Sequence, residues 1–462
     1  MNKAIVKIRN MEIKNVKNVK FGSISFPFSD KENRERQSEI IGVYGQNGSG
    51  KSALVNSIYI LKMVLSGYPL DSDVVNYIHK EQDKAHFSYE FSIDREDKHF
   101  LVFYDFIMSG NSDDIPVISY EKLAYKNLSD ETHSKTTIIE TNPDDESRSF
   151  LPQVRHDEIT KKNKSFFTDL LVSRELALEK KESFIFREKS LDIFLQGFDN
   201  PDYKLVIKVL HFFARMNLFV VQMDHHGAIN ANVVIPMTMR LDDLKSKTIQ
   251  SGDFPIAFGV NKLEDENLTV FKKLIDQMSL LINTIIPGMK LIYREYGKET
   301  SKKGKIETNI ELLSKRGNIE IPIKYESDGI KKIISILSAL IAMYNRESIC
   351  VAIDELDAGV FEYLLGEILK VMNDSGKGQL LFTSHNLRAL EVLNKESIYF
   401  TTTNDTNRFI KFANIKNNHN LRNVYLRTIE IGGQKECVYK ETDPYEIGRA
   451  FRIAGKAYDN AD

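Results

Sequence analysis

One stretch of the sequence has the residue types and the spacing of a phosphate-binding loop. It matches the pattern G-x-x-x-x-G-K-[ST] without a mismatch and reads Gly45-Gln46-Asn47-Gly48-Ser49-Gly50-Lys51-Ser52. Its glycines allow successive backbone N–H groups to turn inward around an anion, and a helix starting there would add its positive end. We expect Lys51 to reach the outer phosphates and the Ser52 hydroxyl to bind Mg²⁺. The residues expected to bind the nucleotide directly are Gly45, Asn47, Gly48, Ser49, Gly50, Lys51 and Ser52.

A second candidate group is a pair of carboxylates at the end of the apolar run SICVAIDE, residues 348–355. A buried parallel strand would place Asp354 and Glu355 at the carboxyl edge of a sheet, where nucleotides bind in open α/β folds. We expect Asp354 to hold Mg²⁺ directly or through water, and Glu355 to polarise the attacking water as a general base. An isolated Asp-Glu pair is more often part of a capped loop, so this prediction depends on the phosphate loop.

Two weaker signals accompany these motifs. His385 follows the short apolar run QLLF, residues 379–382, and a histidine just past a strand can contact a γ-phosphate, although alone it would more often belong to a loop. Ser327 and Gly329 precede the apolar helical pattern IKKIISILSALIAMY and could form a second anion site. Taken alone, Ser327 would be only a helix N-cap.

The elements around these residues alternate between strands and helices. The run EIIGVY at 39–44 is too short for a helix and predicts a buried strand leading into the phosphate loop, and 52–65 has helical apolar spacing. Residues 165–223 and 263–286 are predicted to be helical, and 129–155 an exposed polar excursion. The predicted strands are 5–28, three runs within 86–126 that form an antiparallel sheet, the meander 289–296, 305–314 and 318–325, and the tail runs 409–415 and 423–431, with a short helix at 446–455.

Composition limits the classes of protein that the chain can belong to. Its 462 residues predict two or three packed units, and 42% hydrophobic with 28% charged residues are typical of a globular chain. Two cysteines, Cys350 and Cys437, exclude a disulfide framework and favour a reducing cytosol. We found neither a signal peptide nor an apolar run long enough to span a membrane, so a cytoplasmic protein without a membrane partner is expected.

The order of the motifs resembles that of ABC-type ATPase heads. Within that class, the loop GQNGSGKS, the strand meander and the acidic run IDELD look most like the SMC-like and OLD-type ATPases. The resemblance implies that ATP and Mg²⁺ are the cofactors, that Ser327-Asp328-Gly329 is the signature motif contacting the γ-phosphate on the opposite subunit, and that His385 is the switch histidine. It also implies a homodimer or higher homo-oligomer with composite sites. The expected fold is α/β: an ABC-type P-loop ATPase head with an antiparallel β subdomain and an inserted, mainly helical subdomain.

The predicted organisation divides the head into two parts. Residues 1–130 would form its N-terminal part, 131–284 a mainly helical insert that binds a partner or another copy, 285–415 its C-terminal part and 416–462 a tail. The signature lacks the usual second glycine, and Phe361 stands where the family carries Asp or His in the dimer-contact loop. Gln153 and Gln222 are both candidates for the family's glutamine loop.

The comparison with OLD-type nucleases leads us to expect an ATPase with no effector of its own. OLD-type nucleases add a TOPRIM domain, but the segment after His385 is too short for one and contains no Asp-x-Asp. Asp224-His225-His226 lacks a third ligand cluster and was interpreted as a loop. Stand-alone ATPases of this size resemble the ATPase subunits of bacterial anti-phage systems: AriA of PARIS, with a TOPRIM effector, or PtuA of Septu, with an HNH nuclease. This resemblance implies a separate nuclease effector and a phage protein trigger.

Other functions stay open at this stage. An SMC-like DNA-binding repair ATPase is the main alternative, but the formal charge of −2 and the lack of sustained heptads favour protein partners over nucleic acid. A transporter head fits less well because the insert is large. A nucleotide-binding scaffold that barely hydrolyses ATP is the remaining possibility.

Overall fold

The protein is described from a computed structural model, which covers residues 4–27, 38–96, 98–110, 115–129, 134–141, 148–243, 248–302, 304–413, 415 and 420–459. Its strands are β1 Ile5–Val16, β2 Val19–Ser25, β3 Glu39–Tyr44, β4 Lys84–Arg95, β5 Lys98–Gly110, β6 Pro116–Asn127, β7 Thr136–Glu140, β8 Leu218–Val221, β9 Val234–Asp243, β10 Thr248–Ala257, β11 Val260–Glu264, β12 Met289–Thr300, β13 Ile306–Arg316, β14 Ile319–Pro322, β15 Cys350–Ile353, β16 Gln379–Thr383, β17 Ile398–Thr401 and β18 Phe409–Ile410. Its α-helices are α1 Lys51–Ser66, α2 Gln153–Lys162, α3 Ser165–Glu179, α4 Glu188–Gly197, α5 Pro201–Met216, α6 Met223–Asn230, α7 Asp265–Ile285, α8 Asp328–Asn345, α9 Glu362–Ser375, α10 Ala389–Val392, α11 Leu421–Ile431 and α12 Pro444–Asp459.

The central sheet carries the candidate site. Its strand order is β18-β17-β3-β16-β15-β8, with every pair parallel except β17–β18. All residues of β3, β8, β15 and β16 are buried, as expected for short apolar strands covered on both faces. The strand before the phosphate loop, β3, is therefore separated from the strand before the carboxylates, β15, by β16 alone.

Strand β8 lies where the sequence predicted helix. The helical expectation for 165–223 holds for α3, α4 and α5, but Leu218–Val221 is the edge strand next to β15. A four-residue apolar run cannot be assigned by periodicity, and here a place beside a buried strand determines its structure. This part of the predicted insert thus belongs to the central sheet.

The predicted antiparallel sheet over 86–126 is confirmed, and it is larger than expected. Its order is β2-β1-β4-β5-β6-β7, and its buried face packs with α1 and α5 in one hydrophobic core. Gln379 at the start of β16 joins the two sheets: its amide donates to the Ile8 carbonyl at 2.7 Å and accepts from the Ile8 N–H at 2.8 Å. Strand β7 lies in the interval expected to be an exposed excursion, of which 130–133 and 142–147 lie outside the described residues.

Among the helices of the predicted insert, which also include α6 and most of α7, α2 to α5 follow one another without an intervening strand. They are tied to β6 by the buried Glu121 carboxylate, which accepts from the Ser183 hydroxyl at 2.5 Å and from the Phe184 N–H at 2.7 Å. The interval 131–284 also contains β8, the β9–β10 hairpin and β11, so it is more mixed than the sequence indicated.

The predicted meander is confirmed as β12, β13 and β14, which join β11 in a separate antiparallel sheet. The predicted helix over 263–286 is α7, which packs on this sheet in a third hydrophobic cluster with the β9–β10 hairpin and α8. The N-terminal turn of α8 is thereby held between this unit and the central sheet.

The structure of the tail differs from one of the sequence predictions. Residues 423–431 were expected to form a strand, and this was wrong: they lie in α11, capped by the Asn420 side chain, with Leu421, Tyr425 and Thr428 buried at helical spacing. The run 409–415 is a strand only at Phe409–Ile410, and residue 414 lies outside the described part. The predicted terminal helix is confirmed as α12. None of the helices in the described part is long and apolar enough to cross a membrane.

Candidate nucleotide-binding and catalytic site

The phosphate loop has the strand–loop–helix setting that its chemistry requires. It joins β3 to α1, with Gly50 at φ 93° as the residue before the helix. A Cβ on Gly50 would also lie 2.7 Å from Val19 Cγ2, and one on Gly45 would lie 1.6 Å from Thr401 Oγ1. Thr401, at the end of β17, also hydrogen-bonds to the Ser49 hydroxyl at 2.7 Å. The loop is therefore packed too closely for side chains at these glycines.

Lys51 is held inside the loop. Its side chain is almost fully buried, and Nζ donates to the carbonyls of Gly45 at 2.9 Å and Gln46 at 3.1 Å. Burial lowers the pKa of Lys51, while the nearby carboxylates Asp354 and Glu355 act in the opposite direction. An ammonium group beside the N-terminus of α1 makes this loop a site for an anion.

The two predicted carboxylates lie directly after β15. Asp354 is 1% exposed, and its Oδ1 accepts from the Thr383 hydroxyl at 2.6 Å. The same hydroxyl oxygen accepts from the Glu355 N–H at 2.8 Å, and Glu355 has the left-handed backbone angle φ 50°. Thr383 ends β16, between the phosphate-loop strand and β15, so one side chain orients both acidic residues. Its place at the end of the QLLF run does not by itself distinguish it from an ordinary strand end.

Asp354 and Ser52 are suited to hold Mg²⁺. The ion prefers carboxylate and hydroxyl oxygens and is usually completed by water and substrate phosphates rather than by an all-protein cage. The described residues contain no group of three His, Cys, Asp or Glu side chains that could hold a metal by itself. The donor set therefore fits the predicted metal, with the phosphates of the nucleotide as further ligands.

His385 lies near the same charges. Its backbone N–H donates to Asp357 Oδ2 at 3.1 Å. Burial, then the charge of Lys51, lowers the pKa of His385, so the imidazole is neutral at pH 7 despite the opposing effect of Asp357. Sequence reasoning missed Asp357, which lies three residues after Asp354 and fixes the segment that carries His385.

Ser327 and Gly329 are not joined to the phosphate loop by any contact in the described part of the chain. Ser327 is the N-cap of α8, and its hydroxyl accepts from the Ile330 N–H at 3.4 Å. Gly329 packs so closely on the segment after Glu355 that a Cβ would lie 1.9 Å from the Gly359 carbonyl oxygen. The structure thus brings the loop, Asp354, Glu355 and His385 together in one chain, whereas a role of Ser327 and Gly329 toward phosphate stays a prediction.

The two glutamine candidates differ in their place. Gln222 follows β8, and its side-chain amide donates to Asn56 Oδ1 on α1 at 3.0 Å, whereas Gln153 is the exposed first residue of α2. The expected loop at 224–226 is instead the start of α6, where His225 Nδ1 accepts from the Gln222 N–H at 3.2 Å. Of the two, only Gln222 contacts an element that begins at the phosphate loop.

The tail also contacts the phosphate loop, which no motif in the sequence predicts. The backbone N–H of Lys440 donates to Gln46 Oε1 at 3.0 Å. Nearby, the Asn18 side-chain amide donates to the Gly48 carbonyl. The phosphate loop is therefore bordered by the β1–β2 turn and by the segment before α12.

The fold class is the one that the sequence predicts: α/β, with an ABC-type P-loop head, an antiparallel β subdomain and inserted helices. No family model matches the chain, and no curated protein is significantly similar to it in sequence.

Among solved structures, an SMC head bound to the C-winged helix domain of ScpA is 14% identical, with 87% of this chain and 96% of that chain covered and a TM-score of 0.43. The recombination mediator protein RecF-ATPrS of the RecFOR pathway is 13% identical, with 87% and 98% covered and a TM-score of 0.36. The SMC head domain from Thermotoga maritima is 12% identical, with 88% and 98% covered and a TM-score of 0.31. Likeness at this level does not define a function.

Proposed function

We propose that this protein binds and slowly hydrolyses ATP, and that it is the regulatory subunit of a bacterial anti-phage system that controls a separate nuclease effector. The observation that carries the ATPase part is the arrangement around Thr383. Its hydroxyl links Asp354 and Glu355, and both carboxylates lie close enough to affect the pKa of Lys51 in the phosphate loop. The groups that we assign to bind phosphate, to bind Mg²⁺ and to accept the proton of water therefore lie in one site.

Each group has a distinct role in the proposed reaction. Lys51 and the N–H groups of the loop bind the β- and γ-phosphates, and Ser52 with Asp354 would hold Mg²⁺, which neutralises charge on the phosphates. Glu355 accepts a proton from the attacking water, and the neutral His385 imidazole donates a hydrogen bond to a γ-phosphate oxygen. Gln222, which follows β8 and contacts Asn56 on α1, is assigned as the residue of the glutamine loop.

The proposed site is completed by a second copy. Ser327 and Gly329 contact nothing on their own phosphate loop, and the surface beside them exposes large aromatic side chains. Tyr325 and Phe361 are each 70% exposed and Tyr363 is 59% exposed, an unusual arrangement for a surface that stays in water. The backbones of Gly329 and Gly359 pack against each other. Tyr325, which precedes Gly329, therefore lies on one side of this contact, and Phe361 and Tyr363, which follow Gly359, lie on the other. They are suited to form the interface of a homodimer.

The regulatory part of the proposal depends on resemblance. The helical segment α2–α5 is an addition to the nucleotide-binding sheet, and in stand-alone ATPases of anti-phage systems a separate protein carries the nuclease. We therefore assign α2–α5 as the surface for a TOPRIM or HNH nuclease, which the ATP state would hold or release when a phage protein binds.

The proposal is tested with the wild-type protein and Lys51→Ala. We expect slow ATP turnover, a dimer or larger assembly with ATP, and co-purification with the product of an adjacent nuclease gene. Loss of one charge-assisted phosphate anchor should weaken ATP binding by about 1.5–3 kcal/mol, roughly 10- to 150-fold. A wild-type monomer that binds neither ATP nor a partner would contradict the proposal. Binding of duplex DNA at physiological salt would favour an SMC-like repair ATPase instead.

A further inference from the structure

A buried lysine outside the predicted motifs contacts the proposed general base. Lys332 is the fifth residue of α8 and is only 3% exposed, although lysine is almost never fully buried without a partner. Its Nζ donates to the backbone carbonyl of Glu355. Burial lowers the pKa of Lys332 to about 8, and the charges of Asp357, Glu355 and Asp354 act in the opposite direction. This ammonium group therefore lies among the acidic residues of the site.

The contact is made at a strained point of the backbone. Glu355 is not glycine but has φ 50°, a left-handed conformation that is unfavourable for such a residue unless its surroundings hold it. Its N–H is held by Thr383 from β16, and its carbonyl is held by Lys332 from α8. The direction of the Glu355 carboxylate thus depends on α8 being in place against the central sheet.

The neighbouring lysine provides a comparison. Lys331 is also 3% exposed, but its Nζ donates to Asn232 Oδ1 at 2.8 Å and to Asp328 Oδ1 at 3.1 Å, and lies 5.2 Å from the centre of the Phe258 ring. It therefore ties the same turn of α8 to the segments flanking β9 and β10, not to Glu355. Two lysines of equal burial on one helical turn hold different parts of the molecule.

We infer that Lys332 is a positioning residue that makes ATP hydrolysis depend on the placement of α8, the helix that begins at Ser327. Its ammonium group holds Glu355 in the conformation that accepts the proton of water, and it contributes nothing to ATP binding. Any movement of α8 that withdraws Lys332 frees the Glu355 carbonyl and stops hydrolysis without release of the nucleotide. This inference rests on the proposed ATPase function.

The test compares Lys332→Met with Lys331→Met, which removes an equally buried ammonium group from the same turn. For each variant, ATP affinity, kcat, KM and Tm are measured. We expect Lys332→Met to lower kcat at least tenfold with ATP affinity within threefold of wild type, and Lys331→Met to leave kcat within threefold at a similar Tm. Lys332→Arg, which keeps the charge and the donors, should recover part of kcat.

A second measurement does not depend on turnover. Amide hydrogen exchange of residues 354–360 should be faster in Lys332→Met and unchanged in Lys331→Met. Should Lys332→Met fail to fold, Lys332→Gln replaces it, because it removes the charge and its donor ends one bond short of the position of Nζ, and the same kcat and exchange changes are expected. Wild-type kcat and exchange in the Lys332 variants, or equal losses in both lysine variants, would overturn the inference. Absence of ATP binding by the wild type would instead contradict the proposed function.

Discussion

Glu355 carries the sharpest prediction at the scale of single residues. Glu355→Gln keeps the size of the side chain and the backbone contacts to Thr383 and Lys332 but removes the proton acceptor. We expect ATP to bind as before and turnover to fall roughly 10²- to 10⁴-fold, the usual contribution of general acid–base catalysis. Single-turnover hydrolysis with size-exclusion chromatography in ATP measures this, and the ATP-bound dimer should persist. Unchanged turnover would exclude Glu355 as the base.

The site residues that sequence reasoning did not predict were missed for one physical reason. Lys51, Asp354, Glu355 and His385 could be predicted because their types and local spacing carry their chemistry. Thr383, Asp357 and Lys332 act through contacts between segments far apart in the chain, and nothing local distinguishes them from an ordinary strand end, loop carboxylate or helix lysine. The order of β3, β16 and β15 in the sheet brings Thr383 and Asp357 to the site, and the packing of α8 brings Lys332 there.

At the scale of elements, the packing of α8 on the segment after β15 is the critical contact. Gly329→Ala would place a Cβ 1.9 Å from the Gly359 carbonyl oxygen, and neither backbone can yield without moving an element. We expect a loss of about 1–3 kcal/mol in the free energy of unfolding, the usual cost of overpacking. Urea denaturation measures it.

Gly448→Ala in α12 is the matched control, because nothing lies within 4 Å of a Cβ there. It should be neutral or stabilise the helix by about 0.5–1 kcal/mol. Equal effects of the two substitutions would show that the α8 contact is looser than described.

The pKa of Glu326 allows us to predict how the stability of the segment before α8 depends on pH. Burial raises its pKa, but the Arg316 guanidinium and the Ser314 hydroxyl outweigh this effect, so the folded-state pKa lies below the ordinary value. A lowered carboxyl pKa stabilises the fold above the pKa of the unfolded chain, and this stabilisation is lost as pH falls through the folded-state pKa.

Glu326→Gln should therefore lower the free energy of unfolding by about 1–2 kcal/mol at pH 7, with the difference from wild type shrinking as pH falls through the folded-state pKa. Urea denaturation at pH 7 and at a pH below the folded-state pKa measures this difference in the free energy of unfolding. A difference independent of pH would mean that Glu326 acts through packing alone.

Two elements show why the sequence predicted some structure correctly and some not. The meander β12–β14 was clear because its strands alternate and are separated by turn residues. In α11 the apolar residues also fit alternation, and only tertiary packing of Leu421, Tyr425 and Thr428 selects the helix. Strand β8 is four residues long, so its pairing with β15, not its own pattern, determines it.

For the whole molecule, the two cysteines report on the integrity of the central sheet. Cys350 is buried in β15, where burial raises the pKa of the thiol. Cys437 is exposed in the tail, close in sequence to Lys440, which contacts the phosphate loop. Because the thiolate is the reactive form, we expect one equivalent of maleimide to react with the native protein, at Cys437, and a second only after unfolding. Mass spectrometry of the labelled peptides measures this. Rapid labelling of Cys350 in the native protein would mean that the sheet opens locally.

The strand order of the central sheet has a consequence for synthesis of the protein on the ribosome. Strand β3 pairs with β16 and β17, which follow it by more than 300 residues. At about 5–20 residues per second, the phosphate-loop segment waits on the order of 20–70 s before both neighbouring strands have been made. During that interval its apolar edges have no sheet partner, so the nascent chain is exposed to aggregation and to chaperones. The central sheet can thus assemble around the phosphate loop only after β16 and β17 have emerged from the ribosome.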